Sequence, residues 1–559
     1  MATDTEAPPI LSILPTLDDG RTPVLVELGD DSSVAQRAIV AIASMDAVYQ
    51  RAGKIVEPRN IPIPGGKRSR SSECWQISEC RPSRIRALAS ESCFFQRLSK
   101  KGKRLDAAVP DWLAGLVLAT PAWPFPSLAG IAEAPTMRPD GSIITERGYD
   151  AETGIYLAGD LQINIPENPT LGDAVAARNL LLDVICDFPF AGDPDDELEN
   201  VEVGKSVWLS GLLSTAARPV INGPVPMHII EASMRGSGKS KLVDAASIIN
   251  TGRSASRMIY VDSNEEMDKR ISSLALAGDS SVLIDNIVGE FGCPSLDAAL
   301  TSTSYRGRML GNLEMTPHMP MNIVWWGTGN GMTIGADLAR RSLLARLEPT
   351  CEHPEEREGP RPGTAWRHPR LLSYVMENRA MLLGAALTLV RAYILAGSPK
   401  QLIKPMDFEE WSSTIRSAIV WVGLPDPGET VRDVRAADTR ADAFSTFVER
   451  WPALENRPVT VRELLDFASE MAITPTLDMP LEKRKLWRDA LLEWCPPNRS
   501  EGGDLPSARI LGCALRKIKG AIVGDHKLEH GKKGEQGMPW TKIRVTSPFS
   551  ARSLFDQLQ

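Results

Sequence analysis

Residues 235–241 read Arg235-Gly236-Ser237-Gly238-Lys239-Ser240-Lys241, an order that suits phosphate binding. Two glycines allow close backbone approach to an anion. Lys239 has the length to reach a β- or γ-phosphate, and the Ser240 hydroxyl is a hard oxygen ligand for Mg²⁺. The common loop pattern has a further glycine at position 233, where this chain carries Ser233. Taken alone, the segment fits a nucleotide loop or a flexible Gly-Ser turn.

The surroundings decide between them. "PMHIIEAS" (226–233) is a short apolar run fit for a buried strand, and "SKLVDAASIIN" (240–250) has helical spacing. Strand, glycine loop and helix together bring backbone N–H groups and a helix amino terminus onto one anion. Downstream, "SSVLIDN" (280–286) is an apolar strand ending in Asp285, the arrangement of a Walker B carboxylate that orients the water shell of Mg²⁺. "NIVWWGTGN" (322–330) reads as a third strand ending in Asn330, suited to sensing a γ-phosphate or positioning water. "ADLARRSLLARLEP" (336–349) places Arg340 and Arg341 on a helical run before another strand. These strands predict an ATP site. Lys239, Asp285, Asn330, Arg340 and Arg341 are its catalytic candidates, Arg235 to Lys241 hold the nucleotide, and Ser240 and Asp285 hold Mg²⁺.

The residue after Asp285 is Asn286, where related ATPases carry an acid that polarises water. An amide cannot serve as a general base. Either Glu290, Asp285 or another carboxylate takes that role, or hydrolysis is slow and ATP works as a conformational switch.

Composition sets outer bounds. The chain has 559 residues, which predicts several domains, and its formal net charge of −8 argues against a uniformly basic nucleic-acid coat protein. The amino terminus lacks the basic-then-apolar order of a signal peptide. The longest apolar run, "MLLGAALTLVRAYILAG" (381–397), contains Arg391 and reads as a buried helix, so a cytoplasmic location without membrane association is expected. The eight cysteines form no C-x-x-C pair and no zinc pattern, consistent with reduced thiols.

The order of motifs resembles the superfamily 3 helicases of the AAA+ class. "LDAALTSTSYRGRMLGNLEMTPHMPMNIVWWGTGN" (296–330) looks like that family's helix and β-hairpin leading into the sensor strand. From about 120 to 450 the chain is similar to ATPases of phage, plasmid and integrative elements, on "RPDGSIITERGYDAETGIYL", "LIDN", "GTGN", "HPEERE" and "WSSTIRSAIVWVGLPDP". The resemblance implies a hexameric ring with ATP between neighbours, Arg340 or Arg341 acting in trans, and Arg306 and Arg308 on the hairpin touching single-stranded DNA. The expected hairpin tip, Gly311-Asn312, lacks the lysine or histidine common in that family, and His318 is a weak substitute. The chain shows no primase carboxylate cluster or zinc ribbon, so primase activity is not implied; a primase or a polymerase is a candidate partner.

Between residues 480 and 546 there are fourteen Lys and Arg against eight acidic residues, a local basic excess. "SARILGCALRKIKG" (507–520) reads as the recognition helix of a winged helix, with Arg509, Arg516, Lys517 and Lys519 facing DNA and Lys532 and Lys533 in the wing. A protein-docking role is the competing reading of such a module.

The expected architecture is multi-domain α/β: an N-terminal α+β region (1–105), a β-rich segment with a helical collar (106–218), a P-loop ATPase core with a parallel sheet (219–350), a helical lid (351–452) and a winged-helix-like domain (453–559). The expected function is a DNA-dependent ATPase and ring helicase of a mobile element, using ATP and Mg²⁺ on single-stranded and, through the winged helix, double-stranded DNA. The alternatives are an ATP-switched initiator or loader that does not unwind, and an AAA+ regulatory or defence scaffold acting on protein.

Overall fold

The computed structural model describes residues 17–27, 29–61, 74–191, 199–232, 236–307, 318–348, 359, 365–431, 439–452, 457–469, 481–497, 504–517, 522–523, 526–531 and 539–544. The chain packs as two compact units, residues 1–434 and 435–559.

The centre of the first unit is a five-stranded parallel sheet. Its strands are β1 (Met227–Ala232), β2 (Arg257–Ile259), β3 (Ser281–Ile287), β4 (Val324–Gly329) and β5 (Ser342–Leu347), in the spatial order β2-β3-β4-β1-β5. Parallel strands are covered on both faces, which is why these segments read as continuous apolar runs. Successive residues still alternate: Ile229, Ile284, Trp325 and Leu344 enter one core, while Ile230, Leu283, Trp326 and Leu343 enter the other. The crossover helices are α3 (Lys239–Thr251) and α4 (Asn264–Ala277), and the shorter α5 (Pro294–Thr301) precedes β4.

The collar expected between residues 168 and 218 forms two helices, α1 (Leu171–Asp183) and α2 (Glu199–Ala216). A Thr170–Asp173 capping box starts α1, satisfying amide groups that the helix itself leaves open. In α2, Gly211 lies against β4: an added Cβ would sit 2.4 Å from the Trp326 ring. The apolar run at 381–397 forms most of helix α6 (Arg379–Leu395) and its carboxyl-terminal cap, and the helix packs in the core shared with α1 and α2. Arg391 leaves that core by donating to the carbonyls of Gly141 and Glu167. Among the described residues, no single helix is long and apolar enough to cross a membrane.

Residues 22–119 form an α+β region whose helices Asp31–Ala43, Pro82–Ser92 and Leu113–Ala119 bury a separate apolar cluster. Its hairpin, Tyr49–Arg51 with Lys54–Asn60, sends the buried Arg51 guanidinium onto the carbonyls of Leu128, Ala129 and Ala275. Residues 130–157 form the short strands expected there.

The second unit holds the helices Thr439–Glu449, Val461–Ala468, Leu481–Trp494 and Ala508–Lys517. Its antiparallel sheet runs Val459–Thr460, Pro539–Arg544, His526–His530, Ile522–Val523. That is richer than the two strands expected. Phe447 stands at its aromatic centre, 4.1 Å from the Trp494 ring and 4.9 Å from Trp487, centroid to centroid.

Candidate nucleotide site

The loop after β1 leads directly into α3. Gly236 (φ 73°) and Gly238 (φ 90°) both lie in the left-handed region that glycine adopts without steric cost. A side chain at 238 would also meet Phe188, whose ring edge lies 2.8 Å from the place of an added Cβ. Ser233 and Arg235 lie outside the described residues. Ser237 is buried under the loop, and Lys241 is exposed on the first turn of α3. The strand order places β1 between β4 and β5, so α3 rises from a point where neighbouring connections diverge, the usual position for a ligand crevice in an open α/β sheet.

Three adjacent strands deliver polar groups to this crevice. Lys239 Nζ donates to Asn330 Oδ1 at 2.7 Å, and Ser240 Oγ donates to Asp285 Oδ1 at 2.9 Å. Thr328 Oγ1, near the end of β4, donates to the same Asp285 oxygen at 2.5 Å. Lys239, Ser240, Asp285 and Asn330, expected from sequence to share a site, are thus brought together. Burial holds the Lys239 ammonium below its usual range, against the pull of Asp285 and Glu231. For Asp285, burial acts to raise the pKa. Hydrogen bonds from Thr328, Ser240 and Arg257, with the Arg257 charge, outweigh it and keep the carboxyl below its ordinary value.

Sequence reasoning missed Thr328 and Arg257. A lone threonine inside the apolar run "IVWWGTGN" was an available signal. Arg257, on β2, needs the sheet register to be seen: it lies opposite Leu283, two residues from Asp285 on the same side of β3. Its Nε donates to Asp285 Oδ2 at 3.2 Å and its Nη2 to Asp244 Oδ2 on α3 at 2.7 Å.

Two expectations need correction. β3 does not end at Asp285 but runs to Ile287, with its pairing to β4 shifted between Ile284 and Ile287. Within that bulge Asn286 has φ 57°, a conformation that asparagine tolerates and glutamate does not favour. The left-handed backbone here suits asparagine. Secondly, the helix before β5 covers only Ala336–Ala339, so Arg340 caps it and Arg341 lies in the link to β5 rather than on a helical run. The Arg341 carbonyl accepts from the amide of Met227, at the amino ends of β1 and β5. Arg341 is held by Asp297 at 3.3 Å and by the Asp337 carbonyl, whereas Arg340 is about half exposed and pairs with Asp337.

A cleft of about 750 Å³ opens beside the loop, between it and two walls. One wall follows α1 and includes Asp187 and Phe188, and the other includes Trp366 and His368. The first is fixed to the sheet, because Ala191 and Glu348 exchange backbone hydrogen bonds across to Arg346 and Pro189. The residues present fit a Mg-nucleotide. Ser240 and Asp285 are hard oxygen donors beside a loop built for anions, and Mg²⁺ in such sites takes one or two protein oxygens along with phosphate and water.

For the DNA candidates, α5 is followed by an antiparallel pair, Ser304–Tyr305 with Met319–Pro320, leading to β4. Arg306 and His318 are exposed at its open end. Arg308, Gly311 and Asn312 lie outside the described residues, as do Lys519, Lys532 and Lys533. Arg509 is exposed on the helix Ala508–Lys517, which also carries Arg516 and Lys517 near its end.

No family model matches the chain, and no curated protein matches it. Among solved structures it is similar to the A-form apo C-terminal region (305–718) of NrS-1, at 12% identity and a TM-score of 0.36, over 89% of this chain and 96% of that one. It is also similar to the active helicase Cch of SCCmec type IV, at 10% identity and a TM-score of 0.32, over 89% of this chain and 97% of that one. Likenesses this low transfer no residue role to this chain.

Proposed function

We propose that the chain is an ATP-hydrolysing ring motor of the superfamily 3 helicase type, acting on single-stranded DNA in the replication of a mobile element. The observation that carries the ATP reading is the meeting of Lys239, Ser240, Asp285, Thr328 and Asn330 at the carboxyl ends of three adjacent parallel strands. In this reading the loop amides and the amino terminus of α3 hold the phosphates. Lys239 leaves Asn330 for the β- and γ-oxygens, freeing Asn330 to orient water. Bound Mg²⁺ supplies charge neutralisation between phosphate oxygens.

Placement of the arginines supports assembly. Arg340 is at the amino edge of the sheet, and β5 alone spans roughly 17 Å to the carboxyl edge where the loop lies. One chain therefore lacks an arginine finger from this segment at its own site, and Arg340 of a neighbouring copy would complete it. Ile259 and Val288, 73% and 68% exposed at the carboxyl ends of β2 and β3, offer apolar surface for that neighbour. Arg341, held by Asp297, serves to fix the segment. The hairpin base with Arg306 and His318, and the basic second unit read as a winged helix, supply the DNA contacts.

Asn286 favours a second reading, an ATP-switched DNA binder that loads or initiates without unwinding. No acidic residue follows Asp285 in the bulge, and Asp244 is occupied by Arg257. The test is ATP hydrolysis with and without single-stranded DNA, with Lys239→Ala as the blank. Stimulation absent from the variant supports the motor. Nucleotide binding with turnover fixed at the blank level, DNA present, refutes the motor and leaves the switch.

A further inference from the structure

The end of α1 and the far wall of the cleft bring three metal-ligating side chains together. Asp183, Cys186 and His368 place a carboxylate oxygen, a thiol sulfur and an imidazole nitrogen all within 4.8 Å of one another. We propose that these residues form a binding site for a thiophilic divalent cation, Zn²⁺ by donor set, which clips the two walls of the cleft to each other.

The donors are the types zinc selects, and their arrangement is already partly organised. Asp183 and Cys186 are three residues apart in the turn that closes α1, with the Cys186 amide donating to the Asp183 carbonyl. His368 comes from the opposite wall, its Nε2 2.9 Å from Asp183 Oδ2. Tetrahedral zinc holds its ligands at about 2.0–2.3 Å, so a shared ion would replace the proton between His368 and Asp183 and draw in the exposed Cys186. Three protein ligands leave a fourth position for water.

Neighbouring contacts hold two of the three groups in place. Arg367 Nε holds the other Asp183 oxygen at 2.5 Å, the Tyr374 ring stacks on His368 with centroids 4.0 Å apart, and the His368 amide donates to Asp187. These contacts fix the carboxylate and the imidazole plane, as hydrogen bonds around ligating groups do in known metal sites. The thiol must be deprotonated to ligate, and the ion itself drives that loss, so binding releases a proton. Among the described cysteines, Cys186 alone is exposed.

An ion here would join the turn after α1 to the segment carrying Trp366, on either side of the cleft that opens beside the loop. Slower nucleotide exchange is its consequence and rests on the nucleotide reading; cation binding does not, so the two fail separately.

The experiment titrates the full-length, reduced protein with Co²⁺ and follows the near-ultraviolet thiolate-to-cobalt band and the visible d–d bands. The expected result is one Co²⁺ per chain, displaced by Zn²⁺. The thiolate band is lost in Cys186→Ser, and binding is at least tenfold weaker in His368→Gln and Asp183→Asn. Circular dichroism of each variant checks that it is folded, and the exposed Cys186→Ser change carries the test if the other two are not. Absence of a thiolate band overturns the proposal, as does a band that survives Cys186→Ser. In a second readout, Zn²⁺ slows release of a fluorescent nucleotide from the wild-type protein at least threefold but not from Cys186→Ser. Equal release rates overturn the clip while leaving the site to the cobalt result.

Discussion

Replacing Arg257 with alanine should make the protein need less Mg²⁺. Asp285 Oδ1 is already shared by Ser240, Thr328 and the Asn286 amide, so Oδ2 is its outward oxygen, and Arg257 Nε lies 3.2 Å from it. A cation arriving beside Asp285 therefore competes with a guanidinium. The Arg257 side chain is 42% exposed and Asp285 26%, so water screens the pair, and its strength is that of a partly exposed ion pair, about 0.5–1 kcal/mol. At about 1.4 kcal/mol per decade, the Mg²⁺ midpoint should fall roughly two- to fivefold. The assay is fluorescent-nucleotide binding titrated with Mg²⁺ at fixed ionic strength. Arg257→Lys, which keeps the charge but cannot bridge Asp244 and Asp285 in the same way, should lie between. Raising the salt should shrink the difference. An unchanged midpoint would show that Arg257 does not compete for Asp285. A raised midpoint would show that it organises the carboxylate for the metal, reversing the argument.

Asn286→Glu should not create a fast ATPase, because a glutamate in the left-handed region costs roughly 1 kcal/mol and distorts the bulge that aims Asp285; Asn286→Gly should keep wild-type stability within about 1 kcal/mol. Steady-state turnover and denaturant midpoints check both, and fast turnover in the glutamate variant would refute the strain account. Gly211→Ala forces a methyl group to 2.4 Å from Trp326 and should destabilise the first unit by about 1–3 kcal/mol, read as a lower thermal midpoint. Burial pushes the pKa of His228, on β1, down to about 3. The unfolded chain, with an ordinary histidine near 6.5, then binds more protons than the native one between those values. This contribution to stability is present above pH 6.5 and is lost as pH falls toward 3, so His228→Gln should flatten the decline in melting temperature between pH 7 and pH 5.

The candidate nucleotide crevice was legible because its signals are local. A glycine loop between strand and helix, and two apolar strands with polar ends, state their positions without reference to distant chain. Arg257 was not legible, because its role depends on the register that sets it two residues from Asp285 on a neighbouring strand. Asn286 looked like a missing acid, and only its backbone angle explains the amide. Arg340 and Arg341 could not be told apart in the sequence; Asp297, on another helix, holds Arg341 and not Arg340. Asp183, Cys186 and His368 match no spacing rule, since the third residue is 182 positions further along the chain than Cys186.

The sheet order also has a consequence for biosynthesis. β1 carries the loop, yet its two hydrogen-bonded neighbours are β4 and β5, and the last of these ends at Leu347. A ribosome working at about 5–20 residues per second needs roughly 6–23 s to make the 115 residues from 233 to 347. Until β4 is made, the apolar strand Met227–Ala232 has no strand partner, and until β5 is made it has only one. On the ATP reading proposed above, nucleotide would begin to stabilise the nascent domain only after β5 has cleared the exit tunnel. Synthesis that stalls between β1 and β5 should therefore leave a sticky, ATP-blind intermediate that depends on chaperones.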